Sequence, residues 1–252
     1  YGRAHAVSIE TFHTTRWSLV AGAGAGEPRD RRTALEELLG AYWHPLYAFL
    51  RRKGRDPERA SDLVQGFLAQ LLERDAFARL EREGGRFRSW LLTGLVNHER
   101  DAHAAESAAK RGGGALHVSI ESGEQRYALE ARTDADPAAV FERAWAREVL
   151  ERARRALVAE AIARGRGDLM RSLLPLVDGA CTADERATLA ERSGLSPVAL
   201  RVALHRARAR LRELILAEVQ ETVPDACDAR EELAELARAL ATPTRENSDA
   251  RA

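Results

Sequence analysis

Between Arg201 and Arg212 the chain carries Arg201, Arg206, Arg208, Arg210 and Arg212, with His205 among them and no acid in the run. Guanidinium groups fork onto phosphate oxygens and onto the O6/N7 edge of guanine, so this stretch suits nucleic-acid binding rather than bond-making chemistry. The plain alternative is a solvated arginine face on an ordinary helical hairpin. A second group, Arg86-Phe87-Arg88-Ser89-Trp90-Leu91, interleaves aromatic and basic residues, and Asn97, Arg100, Asp101, Lys110 and Arg111 follow it. Rings that stack on bases beside cations that track phosphates suit unpaired DNA. At helical spacing Phe87 and Trp90 also fit a core, the more frequent fate of such a pair.

Catalytic arrangements are weak by comparison. Arg111-Gly112-Gly113-Gly114 lacks the G-x-x-x-x-G-K-[ST] of a phosphate loop. The seven histidines form no H-E-x-x-H, and His98 and His103, five apart, do not share a helix face closely. Glu106, Ser107 and Lys110 make no defensible nucleophile and base. The expectation is no enzyme, no cofactor and no metal.

Helices must position these residues. Leu35, Leu38, Leu39, Tyr42, Leu46, Phe49 and Leu50 recur at steps of three and four, predicting a helix over about 31–52 with Pro45 inside it. Gly54 then ends one helix, and Asp56-Pro57 opens the next, to about Glu73. A third runs from Phe87 to about Lys110. Residues 112–137 begin with three glycines and, from Ala115 on, hold five acids against two bases; they read as an acidic linker with little power to form a core, His117–Ile120 being a short strand at most. After Pro137 a second helical set begins. Phe141, Trp145, Val149, Leu150 and Leu157 mark one helix, and Leu169, Leu173, Leu174 and Val177 another. Thr182 with Glu185 forms a capping box, Gly194 a stop, and Ser196-Pro197 a new start. That last pair of helices has helix-turn-helix logic, in which the second helix lies in a DNA major groove. From Glu221 eight acids face four arginines, with a weak helix over about 228–240.

The 252 residues are 45% hydrophobic, enough to bury a sizeable core. Lys+Arg and Asp+Glu both count 39, which excludes a uniformly basic nucleic-acid coat and makes any basic function local. The two cysteines, Cys181 and Cys227, argue against a disulfide scaffold or a cysteine zinc site. No run approaches the roughly 18 apolar residues of a membrane span. With no signal peptide at the start, this predicts a cytoplasmic protein away from membranes.

Three motifs in order resemble the sigma-70 family of bacterial transcription initiation factors, extracytoplasmic-function type. Asp62-Leu63-Val64-Gln65, with Phe67 and Leu68, matches the family's D-L-x-Q helix. Phe87, Trp90, Leu91, Asn97 and Asp101 match its F-x-x-W-L helix. His205-Arg206-Ala207-Arg208, with Leu200, Leu204 and Leu211, matches the end of its last helix. The likeness covers about residues 31–220. Gly66 departs from the acidic residue usual there, and Val202 and Ala203 from the polar or basic ones. Thr14–Leu19 and the tail look like additions of a planctomycete-like subset.

The resemblance implies an all-α protein of two helical domains joined by an acidic linker, the second a helix-turn-helix domain. Residues 1–30 would be an amino-terminal extension and 31–111 the domain that docks on RNA polymerase and melts the −10 element. Residues 112–137 would be the linker, 138–220 the domain that reads the −35 element, and 221–252 an acidic tail. Implied partners are core RNA polymerase, promoter DNA and an anti-sigma protein. Asp62, Gln65 and Leu68 are the expected polymerase contacts. Arg86, Arg88, Trp90, Asn97, Arg100, Lys110 and Arg111 are those to the −10 DNA. Ser196, Val198, Arg201, Val202, His205, Arg206, Arg208 and Arg210 are those to the −35 duplex. At about 100° per residue, Leu200, Leu204, Ala207 and Leu211 form a buried stripe with Val198 and Val202 opposite. Ser196, Arg201 and Val202 are expected to read bases, and Arg206, Arg208 and Arg210 to hold phosphates. Thr14 and Thr15 are candidate phosphate acceptors. The tail is expected to be dispensable for folding and to shield the arginine face. A helix-turn-helix regulator acting without polymerase and a helical protein adaptor are the competing readings.

Overall fold

A computed structural model describes residues 28–73, 87–106, 120–130, 136–177, 182–220 and 226–241. Thr14–Leu19, Arg86, Lys110, Arg111 and His117–Ser119 lie outside the described residues. The described residues are all-α, with no strand among them: α1 (Pro28–Arg52), α2 (Pro57–Glu73), α3 (Phe87–Glu106), α4 (Ile120–Glu130), α5 (Pro137–Ala163), α6 (Gly167–Val177), α7 (Ala183–Ser193), α8 (Pro197–Gln220) and α9 (Ala226–Ala241). None of them is long and apolar enough to cross a membrane.

The punctuation follows local chemistry. Gly54 takes φ +89°, a conformation costly for residues with a Cβ, and closes the end of α1. Asp56 Oδ1 accepts from the Arg59 amide at 2.8 Å and caps α2. Asp136 caps α5 in the same way, accepting from Ala139 N at 2.9 Å, with Pro137 in the first turn. α1 continues through Pro45.

Two apolar clusters organise the packing. In the first, Leu39, Tyr42, Leu46 and Leu50 of α1 meet Leu63, Val64, Phe67 and Leu68 of α2 and Phe87, Leu91 and Leu95 of α3. The second joins Ala153 and Leu157 of α5, Leu173 and Val177 of α6, Leu189 of α7, and Leu200, Leu204, Ala207 and Leu211 of α8. α5 runs through both. Phe141, Trp145 and Val149, expected to mark the second helical set, are buried in the first cluster, while Leu157, two turns on, lies in the second. A continuous amphipathic helix of 27 residues spans about 40 Å, long enough to serve both.

Two expectations need correction. The stretch read as a linker with little power to form a core contains α4, which seats on α1. A Cβ on Gly123 would lie 3.2 Å from the Trp43 ring, so glycine permits the close approach. Glu124 then accepts from the Tyr47 hydroxyl at 2.6 Å and from Arg51 Nε and Nη2 at 2.6 and 3.0 Å. The second correction concerns the tail. α9 buries Ala229, Glu232 and Leu236, the two apolar ones in the first cluster, so it is packed structure. It contacts α5 and α8, and its acids Glu232 and Glu235 reach Arg88 of α3.

Candidate nucleic-acid interface

α7 and α8 are set by their ends. Thr182 Oγ1 accepts from Glu185 N at 3.2 Å, and Glu185 Oε2 accepts from Thr182 N at 2.8 Å, completing the capping box. The Thr182 amide and hydroxyl hold the Glu185 carboxyl below its ordinary range. Gly194, at φ +64°, ends α7, its amide and that of Leu195 returning to the last turn. Ser196 Oγ accepts from Ala199 N at 3.1 Å and caps α8, which leaves its O–H as a donor.

The buried stripe of α8 is Leu200, Leu204, Ala207 and Leu211, as its spacing predicts. On the opposite face Val198 is 60% and Val202 43% exposed. Arg201, His205, Arg206 and Arg212 are exposed around them, with no ion-pair partner among the described residues. Two apolar side chains rimmed by cations can touch thymine methyls while guanidiniums reach bases and phosphates.

Arg208 and Arg210 are placed otherwise. Both flank the buried stripe, within reach of neighbouring helices. Arg208 donates to the Leu176 and Val177 carbonyls at 2.6 and 3.2 Å, capping the end of α6 where the helix dipole favours a cation. Arg210 is held by Glu160 at 2.6 and 3.0 Å and by Glu213 at 2.7 Å. Arg210 in turn keeps the Glu160 carboxyl below its ordinary range. These two arginines, expected to hold phosphates, are engaged by neighbouring helices in this structure, unlike the exposed Arg206.

No protein-family model, curated protein or solved structure matches the chain. The site therefore rests on its own geometry.

On α2, Asp62 is exposed and Gln65 half-buried on one face, Gln65 donating to Ser61 Oγ at 2.9 Å. Leu68, expected to touch a partner, is instead 1% exposed, because its position falls on the apolar stripe that builds the first cluster. Gly66 has a local reason: a Cβ there would lie 3.3 Å from His98 Nε2, and His98 Nδ1 is engaged by Gln70 Oε1 at 3.0 Å. On α3, Asn97 and Arg100 are exposed, and with Ser89 and Thr93 they form a polar solvent face. Trp90 is half-buried, stacked on Phe87 with centroids 5.7 Å apart.

Arg88 departs furthest from expectation. It is 3% exposed and surrounded by Glu142 of α5, Glu235 of α9 and Glu232 of α9. In this conformation it does not face DNA. A cation at this depth requires paired carboxylates, which arrive 54 and 147 residues along the chain. The missed residues are therefore Glu142, Glu232, Glu235 and Trp145. One signal for them was present: Ala229, Glu232 and Leu236 share a helical face, and an acid amid an apolar face demands a buried cation.

Proposed function

We propose that this chain is a sigma factor of the extracytoplasmic-function type, which binds core RNA polymerase and directs it to specific promoters without catalysis of its own. The observation that carries the reading is the outer face of α8: bare Val198 and Val202 framed by Arg201, His205 and Arg206. No described residue buries these two valines, and a major groove supplies a partner for them. In this reading α7 and α8 form the helix-turn-helix of a −35-reading domain. Ser196, Arg201 and Val202 lie near the N-terminus of α8, where such a helix meets base edges. Arg206 grips the phosphate backbone further along.

The first cluster then forms the polymerase-docking domain. Asp62 and Gln65 supply a polar, outward patch on α2, and Asn97 and Arg100 of α3 face the −10 DNA. The balance of 39 basic and 39 acidic residues fits a protein that reads DNA only when polymerase holds it, because free binding needs net phosphate neutralisation. The neutral charge also disfavours a regulator that binds duplex alone.

The test is a titration of labelled full-length chain with core RNA polymerase, beside the variant D62A/Q65A. The reading expects tight binding by the wild type and its loss in the variant, with helicity unchanged. Equal affinity of both chains removes α2 as the dock, and no affinity in either removes the reading.

A further inference from the structure

Three glutamates converge on Arg88, and Arg238 of α9 stands at 4.0 Å from one of them, Glu235. Glu142 reaches Arg88 at 2.9 Å, Glu235 at 2.8 Å, and Glu232 closes the set from the buried face of α9. Its guanidinium carbon lies 4.6 Å from the centre of the Trp145 ring. Two of the three acids thus come from a single helix at the far end of the described chain. A planar guanidinium fork accepts carboxylate and phosphate oxygens by the same geometry. The Trp145 indole behind it is buried at 2% exposure in this packed state, and an aromatic ring beside a guanidinium is the pairing on which a base stacks once uncovered.

We propose that α9 is an autoinhibitory clasp, in which Glu232 and Glu235 occupy the Arg88–Trp145 site in place of the phosphodiester backbone of single-stranded DNA. The inference rests on the functional reading above. α9 is built to be released. Among its described side chains only Ala229 and Leu236 are fully buried apolar groups; Leu233 and Ala239 are half-buried and Leu240 is exposed. The desolvation cost of its buried carboxylate is recovered when it returns to water. Glu142 belongs to α5 and stays behind, so Arg88 keeps a partner when α9 leaves. The bound strand then displaces that last carboxylate or binds beside it.

The test uses the full chain in three forms: wild type, E232Q/E235Q, and R88Q/E232Q/E235Q. Hydrogen exchange reads the clasp, fluorescence anisotropy with a fluorescein-labelled single-stranded oligonucleotide reads the site, and core RNA polymerase affinity reads the function. In E232Q/E235Q the α9 amides should exchange about tenfold faster while α1 and α2 stay protected. The same variant should bind the oligonucleotide about tenfold more tightly. Adding Arg88→Gln should cancel that gain. Should the double variant disturb α1 and α2 as well, E235Q alone, at the more exposed acid, must move both readouts in the same direction by a smaller factor. Unchanged exchange of α9 overturns the clasp, and so does a loosened α9 with unchanged oligonucleotide affinity. A gain that survives Arg88→Gln reflects general charge and overturns it too. Oligonucleotide gain with no polymerase binding in any form keeps the clasp and removes the sigma reading. Polymerase binding with no oligonucleotide gain does the reverse.

Discussion

Replacing Arg88 by Met removes the guanidinium that three carboxylates share. Methionine is close to arginine in length and fills the space over Trp145, so the change is chiefly electrostatic rather than a cavity. The three acids are then unequal. Glu142 and Glu235 keep 34% and 32% of their side chains exposed, so water screens them. Glu232, at 1%, loses its ion pair with Arg88 while buried. Breaking a buried pair by removing one partner costs about 3–5 kcal/mol. Set against a total stability of about 5–15 kcal/mol, that is a large share. At about 2–4 °C per kcal/mol for a chain of this size, the melting temperature should fall by about 6–20 °C. The double replacement Arg88→Met with Glu232→Leu removes the buried charge as well and should return to within about 1 kcal/mol of the wild type. Urea unfolding followed by far-ultraviolet circular dichroism and by tryptophan fluorescence measures both. A single replacement that costs less than about 1 kcal/mol, or a double as unstable as the single, would refute the argument that α9 is fastened by this pair.

The arginines of α8 should separate in a holoenzyme promoter selection. Arg201→Ala should cost about 1–3 kcal/mol at one base position and relax specificity there, whereas Arg206→Ala should weaken all sequences alike and flatten the salt dependence. Arg208→Ala should leave sequence preference unchanged and lower thermal stability by about 1.5–3 kcal/mol, since it loses charged hydrogen bonds to the end of α6. Gly94→Val should destabilise by about 1–3 kcal/mol in chemical denaturation, because a Cβ at Gly94 lies 2.9 Å from Phe67 Cζ in the contact between α2 and α3. Arg210 holds Glu160 below its ordinary value of 4.5, so this pair's contribution is complete above that pH and is lost as pH falls through the lowered folded value. Melting curves between about pH 6 and pH 3 should show the loss in the wild type and a smaller one in Arg210→Ala.

Local features were the most legible in the sequence. The capping box at Thr182 and Glu185, the stop at Gly194 and the stripe from Leu200 to Leu211 are all encoded within a few residues, and the structure has each of them. Exposure of Val198 and Val202 follows from the same periodicity. What failed was long-range. The charge of Arg88 says nothing about whether it meets water, DNA or a distant glutamate; only the fold brings Glu235 to it across 147 residues. Composition misled at α4 and α9, because an acidic segment was read as solvated. In each, one glutamate has a fixed arginine: Arg51 for Glu124, and Arg88 for Glu232. Arg208 and Arg210 lie at the edges of the α8 stripe, where a few tens of degrees decide between solvent and a neighbouring helix. Helical periodicity does not resolve that difference.

Promoter-directed initiation is the measurement closest to the central claim. Core RNA polymerase, with and without the full-length chain, is given a library of linear templates with randomised upstream DNA, and the transcribed templates are sequenced. The account predicts defined start sites that depend on the chain, with two enriched elements upstream, the distal one altered by Arg201→Ala. Start sites identical with and without the chain would contradict it.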